Sequence, residues 1–183
     1  PRVRRQRQMC IRDSNYEAHE KLFRLLVGSW RENWNDPDLP FYYVQLSSID
    51  RPSWPWFRDS QRRLMDAIPH TGMAVSSDYG DSLDVHPKNK RPIGERLAHW
   101  ALNRTYDKKQ VVPSGPLFRS VDFREDAAYV SFDYADGLHT ADGRPIREFE
   151  IAETEGVYYP AKAEVVGNQV KVYSDRVEHP HHV

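Results

Sequence analysis

The stretch from Thr71 to Leu102 constrains the fold more than any other part of the chain: TGMAVSSDYGDSLDVHPKNKRPIGERLAHWAL. It begins with an apolar run typical of a buried strand, continues as a polar loop, and ends as an amphipathic helix. Pro92 opens that helix, where its missing N–H would have no intrahelical partner anyway. Apolar side chains then recur on one helical face, at Ile93, Leu97, Trp100 and Ala101. A strand, a polar loop and a helix in this order indicate an α/β unit.

The polar loop carries three aspartates and one histidine: Asp78, Asp81, Asp84 and His86. A carboxylate that holds one imidazole nitrogen leaves the other nitrogen able to take a proton from a nucleophile. Loops at the carboxyl ends of parallel strands are also where ligands bind. The loop therefore suggests His86 as a general base with Asp84 as its acid, and Asp78 or Asp81 as alternatives. The other interpretation is that the aspartates form turns and His86 is a solvated turn residue.

Helices and strands are also predicted to alternate upstream of this stretch. The patterns predict a helix from Asn15 to Trp34, a buried strand from Phe41 to Ser47 and a helix from Phe57 to Ile68. The order helix, strand, helix, strand, helix contains successive crossovers of the kind that build a parallel sheet. We expect residues 14–110 to be the last part of a doubly wound α/β domain. Such a part would leave apolar surface and a strand edge exposed, because a parallel sheet needs cover on both faces.

The first helix is predicted to bury a stripe of large residues, widened by two neighbours: Leu22, Leu26, Trp30 and Trp34, with Phe23 and Val27. Ser14 and Glu17 have the spacing of a capping box at its start. Residues 48–56 are predicted to be a loop before the second helix. Trp54 and Trp56 in this loop could form an apolar wall for a bound substrate, or pack the loop onto the sheet.

From Val111 onward the pattern changes from helical spacing to alternation. Pro113, Gly115 and Pro116 indicate a linker. Short strand-like segments follow at 117–123, 127–134, 148–153 and 157–166. Gly167-Asn168 is a two-residue hairpin signal between alternating segments. We expect residues 111–183 to form an antiparallel, sandwich-like β-rich accessory region.

Charge and composition weigh against several classes of function. A net charge of −1 over 183 residues gives no global case for a nucleic-acid or membrane-surface partner. No apolar run reaches the ~20 residues that cross a bilayer. Cys10 is the single cysteine, so an intrachain disulfide is impossible. Residues 1–13 hold five arginines and one aspartate, a local charge of +4, and are interpreted as a disordered or artefactual tail.

Several long sequence motifs occur in the chain in the same order as in a known protein family. They are HEKLFRLLVGSWRENW, LPFYYVQLSS, RPSWPWFRDSQRRL, DVHPKNKRPIGERLAHWAL and SGPLFRSV. These segments resemble the sialate O-acetylesterases, of the SGNH-type esterase superfamily, and DVHPKNKRPIGERLAHWAL resembles the last conserved block of that family. The resemblance covers residues 15–183.

The resemblance implies an SGNH-type esterase that removes O-acetyl groups from sialic acid or related sugars by a Ser–His–Asp mechanism, without a metal or cofactor. His86 lies where the family keeps its catalytic histidine. The family's nucleophile belongs to a Gly-Gln-Ser-Asn motif and its oxyanion-hole Asn to Gly-Glu-Ser-Asn, and neither motif occurs in this sequence. We therefore expect a C-terminal fragment of the enzyme that is inactive alone. The family implies a periplasmic or extracellular location.

A second acid–histidine pair occurs in the β-rich half. Asp136 and His139 have the Asp-x-x-His spacing common in the superfamily, whereas Asp84 precedes His86 by two residues. The context favours His86, because the other pair lies in a Gly-rich turn without a strand–loop–helix unit. Three further histidines offer no compact metal-ligand spacing: His179, His181 and His182.

A different class of function is a non-catalytic carbohydrate-binding or structural module on the β-rich half. Its supporting feature is a set of aromatic residues, since aromatic rings are large, rigid contact surfaces: Tyr129, Tyr134, Tyr158 and Tyr159. The sequence leaves the sugar, the acetyl position and the oligomeric state open.

Overall fold

The structure is a computed structural model that describes residues 15–84, 86 and 88–183. These residues form two compact units, one ending at Pro113 and the other spanning Ser114–Val183, and the division falls in the predicted linker. The predicted tail at 1–13 and the predicted cap residue Ser14 lie outside the described residues. In the described part of the chain, no helix is long and apolar enough to cross a membrane.

The first unit alternates helices and strands as predicted. Its elements are α1 (Tyr16–Trp34), β1 (Phe41–Val44), α2 (Trp54–Ala67), β2 (Thr71–Ala74), a 3-10 turn (Ser77–Tyr79) and α3 (Arg91–Arg104). β1 and β2 pair in parallel, from Phe41 opposite Thr71 to Val44 opposite Ala74. The predicted parallel pairing is therefore confirmed. The predicted inner face of α3 is also confirmed, because Ile93 and Trp100 are buried.

Two predicted boundaries were wrong. β1 ends at Val44 and not at Ser47, since the side chain of Gln61, rather than a strand, accepts the main-chain N–H of Leu46. α2 begins at Trp54 and not at Phe57, because Pro55 occupies its first turn, where a fixed φ favours the helix. Trp54 and Trp56 therefore belong to a helix and not to the predicted loop.

The first helix has the predicted length, but a different cap and a different buried face. Its N-cap is Asn15 and not Ser14, because the Asn15 side chain accepts the N–H of Ala18 at 2.9 Å. Phe23 and Val27 face the core, where they pack with Leu64, Ile68 and Phe41. The predicted stripe is exposed: Leu22, Leu26, Trp30 and Trp34. Its burial was wrongly predicted, since α2 and β1 reach only the flank of the helix that holds Phe23 and Val27.

The second unit is antiparallel β. Its strands are β3 (Leu117–Arg124), β4 (Ala127–Asp133), β5 (Glu150–Ile151), β6 (Tyr159–Pro160), β7 (Lys162–Val166) and β8 (Gln169–Tyr173). A four-stranded sheet has the order β3-β4-β8-β7, and β5 pairs with β6. The predicted strand at 157–166 is split between the two sheets. The predicted hairpin is confirmed, because Gly167, with φ +62°, joins β7 to β8. The core residues are Ala128, Val130, Ile151, Val170, Val172 and Val177.

Candidate active site

A cavity of about 380 Å³ lies in the first unit, at the carboxyl ends of β1 and β2. Its lining combines polar and apolar side chains from both strand ends, the following loop and α3, including Gln45, Ser47, Ser76, His86, Ile93 and Leu97. This edge is where α/β sheets usually bind ligands. A largely apolar pocket with a few polar groups is the usual form of a small-molecule site.

The segment after β1 is held in place by α2. Tyr43 donates its hydroxyl proton to the carbonyl oxygen of Gln61 at 2.6 Å, and the Gln61 side chain accepts the N–H of Leu46 at 2.9 Å. The Gln45 amide donates to the carbonyl of Arg58 at 3.1 Å. Burial raises the pKa of Tyr43 well above its usual range, so this phenol stays a donor at any physiological pH. These bonds give one wall of the cavity a defined main-chain path.

Ser76 joins the ends of the two strands. Its hydroxyl is buried and donates to the carbonyl of Gln45 at 2.7 Å. Ser48, three residues after Gln45, likewise donates to the carbonyl of Ser77. The two serines therefore hold the loop that follows β1 against the loop that follows β2. The Ser76 hydroxyl is engaged as a structural donor in this arrangement.

Arg96 attaches the loop after β2 to α3. Its guanidinium donates two hydrogen bonds to the Asp78 carboxylate, at 2.7 and 2.6 Å, and one to the carbonyl of Val75 at 2.6 Å. The guanidinium also lies 5.3 Å from the centre of the Tyr79 ring. The hydrogen bonds from Arg96 hold the pKa of Asp78 below its usual value, so this carboxylate stays charged. Asp78 is thereby committed to Arg96.

His86 is exposed and lines the cavity. The Asp84 carboxylate accepts the main-chain N–H of His86 at 2.9 Å, and Asp81 accepts the N–H of Leu83 in the same way at 2.9 Å. Both aspartates thus form side-chain turns, as one interpretation of the sequence predicted. The bond between Asp84 and His86 is made to the main chain. A bond from Asp84 to the imidazole stays a prediction, and Val85 and Pro87 lie outside the described residues.

Comparison with known proteins relates this geometry to enzymes. No family model matches the chain. A crystal structure of a novel carbohydrate acetylesterase from Xanthomonas citri superposes with a TM-score of 0.81 and 34% sequence identity, over 88% of this chain. Sialate O-acetylesterase of Mus musculus is 24% identical over 67% of the chain, and that of Rattus norvegicus is 21% identical over 86%. These similarities support a relationship to the sialate O-acetylesterase-like carbohydrate esterases.

The chain matches only part of each relative. It spans 26% of the mouse protein, 33% of the rat protein and 39% of the Xanthomonas chain. Its mixed α/β architecture, with one parallel sheet and antiparallel sheets, is similar to that of the Xanthomonas carbohydrate acetylesterase.

The predicted aromatic wall has two dissimilar members. Trp54 is 2% exposed, so its ring could meet a sugar only if α2 moved, whereas Trp56 is 66% exposed. The cavity beside His86 is formed by other residues. A substrate-binding role for either tryptophan stays a prediction.

The two members of the second acid–histidine pair, Asp136 and His139, bond to different partners in the structure. His139 bonds the carbonyl of Gly137 through Nδ1 at 2.6 Å, and Asp136 accepts from the Asn168 amide at 3.0 Å. The main chain of His181 and His182 bonds to Ala152. Among the described residues, no group of three His, Cys, Asp or Glu side chains could hold a metal ion.

Two residues that shape the site were not predicted from the sequence. Arg96 lies 18 residues from Asp78, and Gln61 lies 15 residues from Leu46. Neither of these separations along the sequence corresponds to a helix or turn spacing, so no local sequence pattern indicates these contacts. One available signal was that Arg96 lies between two residues of the inner face of α3, Ile93 and Leu97.

Proposed function

We propose that this chain is the histidine-bearing part of an SGNH-type carbohydrate esterase that hydrolyses O-acetyl esters of sialic acid or related sugars. One observation carries the proposal: His86 lines the cavity at the carboxyl ends of two parallel strands. The relatives, named sialate O-acetylesterase and carbohydrate acetylesterase, support the reaction and the class of substrate. Periplasmic or extracellular location stays a prediction from the family.

In the proposed mechanism, a serine outside the described cavity attacks the acetyl carbonyl carbon. His86 accepts the serine proton as the new C–O bond forms, and returns it to the sugar oxygen as the ester C–O bond breaks. Water then attacks the acetyl-serine with the same proton transfers, which releases acetate and restores the serine. An ester hydrolysis of this type balances without a metal or a redox cofactor.

Asp84 is the proposed partner acid. Of the three candidate aspartates, Asp78 is bound by Arg96 and Asp81 accepts the main-chain N–H of Leu83, whereas the main-chain N–H that Asp84 accepts is that of His86. Its carboxylate would turn toward Nδ1 of the imidazole, hold the productive tautomer and stabilise the imidazolium.

The decisive test is a chimera in which this chain replaces the matched 39% of the Xanthomonas acetylesterase. Acetate release is measured with O-acetylated sialic acid and with an acetylated neutral sugar. We expect His86→Ala to lower kcat/KM by about 10²–10⁴-fold, because a general acid–base is lost. His139→Ala is the matched control and should leave the rate unchanged. A chimera that keeps its activity after His86→Ala, or loses it equally after His139→Ala, contradicts the proposal.

The carbohydrate-binding alternative has weaker support in the second unit. The guanidinium of Arg124 lies 5.1 Å from the centre of the Tyr129 ring, and that of Arg176 lies 4.1 Å from the centre of the Tyr159 ring. Each of these cations covers an aromatic face that a sugar would use.

A further inference from the structure

The exposed face of α1 carries four large apolar residues in one row, here called the α1 stripe: Leu22, Leu26, Trp30 and Trp34. Their exposed fractions are 54%, 45%, 48% and 65%. The rings of Trp30 and Trp34 stack, with centres 6.4 Å apart and planes 10° apart. Single exposed apolar residues are ordinary, but a contiguous row of them marks a contact surface.

The stripe continues directly from the buried side of the helix. Successive members are four residues apart, and Leu26 and Trp30 flank Val27 and Phe23, which are packed against α2 and β1. The apolar surface of α1 is thus wider than the surface that α2 and β1 cover. The apolar surface of α1 that α2 and β1 leave uncovered is available for packing against additional polypeptide.

The neighbouring sheet is also narrower than parallel sheets usually are. Within the described residues, β1 and β2 form a sheet of two strands, and each has one neighbour. Parallel sheets are covered on both faces and usually contain about 4–6 strands. An open sheet edge and an open helix face in the same unit indicate that further polypeptide of the same α/β domain belongs here.

We propose that the α1 stripe is the docking surface for the part of an acetylesterase domain that the relatives carry outside their matched regions. Those regions make up only 26–39% of the relatives' lengths, so each relative has ample polypeptide to supply such a layer. The occupant is an apolar face of that domain, which removes the two tryptophan rings from water. This inference rests on the proposed function, and its test is independent of catalysis.

The test compares the thiol reactivity of the variants Leu26→Cys and Leu25→Cys in a Cys10→Ser background. Leu25 is 68% exposed and lies outside the stripe, so it is a matched control. Each variant is prepared as the 183-residue chain and within the Xanthomonas chimera, and reaction with a maleimide is followed at each site by peptide mass spectrometry. We expect the Leu26→Cys thiol to react about tenfold more slowly in the chimera than in the chain, with the Leu25→Cys thiol unchanged, because reactivity follows exposure.

Three results would overturn the proposal. The first is equal reactivity of the Leu26→Cys thiol in the chain and in the chimera, and the second is equal protection of the Leu26→Cys and Leu25→Cys thiols in the chimera. The third is protection of the Leu26→Cys thiol in the 183-residue chain alone that increases with the concentration of the chain, which would identify a second copy as the occupant. If the cysteine variants do not fold, Leu26→Asp and Leu25→Asp chimeras are compared by thermal unfolding, and only Leu26→Asp should lower the midpoint. If the Leu26→Cys thiol is protected in a chimera that has no esterase activity, the docking proposal is supported and the proposed function is contradicted. If the chimera is active and the thiol is not protected, the proposed function is supported and the docking proposal is contradicted.

Discussion

Trp100 combines two contacts that hold α3 on β2. Its indole N–H donates to the carbonyl of Met73 at 2.9 Å, and its ring covers Gly72 so closely that a Cβ on Gly72 would lie 2.6 Å from the ring atom Cδ2. A glycine is therefore required at this point of the strand by the packing of α3. The position of α3 in turn determines where Ile93 and Leu97 line the cavity.

Replacing Gly72 by alanine should lower the free energy of unfolding by about 1–3 kcal/mol, because the ring of Trp100 must move. Gly28→Ala is the matched control: a Cβ on Gly28 meets nothing within 4 Å in α1. That change should raise the free energy of unfolding by about 0.5–1 kcal/mol, since alanine favours a helix interior. Urea unfolding measures both, and an equally tolerated Gly72→Ala would refute the contact.

The Asp78–Arg96 pair should make stability depend on pH. Hydrogen bonds from Arg96 lower the pKa of Asp78 in the folded state, so the unfolded chain binds more protons in the acid range. The stabilisation is therefore complete above the ordinary pKa of an aspartate, and it is lost as the pH falls through the lowered pKa of Asp78.

We expect Asp78→Asn to lower the free energy of unfolding by about 0.5–1 kcal/mol at pH 7, because the pair is partly exposed and screened. The difference from the original protein should disappear in acid. Urea unfolding at a series of pH values measures it. Glu95→Gln, which removes an exposed partner of Arg91 on the same helix, is the control and should show a smaller effect. A difference that persists in acid would show that charge is not the cause.

At the scale of elements, the β7–β8 hairpin depends on one backbone conformation. Gly167 has φ +62°, which a residue with a Cβ adopts at a cost, although nothing lies within 4 Å of the position where that Cβ would be. Gly167→Ala should therefore destabilise the second unit through backbone strain and not through a clash.

The expected loss for Gly167→Ala is about 1–2 kcal/mol in the free energy of unfolding, the usual penalty of the left-handed region. Gly115→Ala is the matched control, because its Cβ also meets nothing within 4 Å and its φ is not positive. Thermal unfolding followed by circular dichroism separates the two. Equal midpoints for both variants would show that the turn relaxes.

Helix faces were harder to predict than helix positions. The periodicity of α1 is helical, but it contains two adjacent apolar rows, and the sequence alone favoured the row with the tryptophans. The structure buries the row with Phe23 and Val27, because Leu64 and Ile68 of α2 lie opposite it. A pattern with period 3.6 determines that a helix is amphipathic, whereas its neighbours determine which of two similar rows is covered.

At the scale of the whole molecule, the proposed mechanism needs a nucleophile and an oxyanion hole that the 183-residue sequence has no family motif to supply. We expect the purified chain to release no acetate above the buffer rate from O-acetylated sialic acid, while the chimera does. Acetate is quantified enzymatically over a range of chain concentrations. A burst from the chain alone that His86→Ala abolishes would contradict this expectation and would make one of its own serines the nucleophile.

By itself, the sequence determined the features that depend on residues close together in the chain. The order of helices and strands in the first unit, the proline that opens α3 and the Gly167-Asn168 hairpin are of this kind, because a turn or a helix start involves only a few consecutive residues. The placement of His86 after a buried parallel strand followed from the same local pattern.

Only the tertiary structure decided the contacts between distant residues. It set Arg96 on Asp78 across 18 residues, committed Gln61 to the main chain of Leu46, buried Trp54 in a helix, and left the α1 stripe uncovered. Such contacts depend on which surfaces the fold brings together, and the free energy gained by burying a side chain depends on the neighbour it meets and not on its position in the chain.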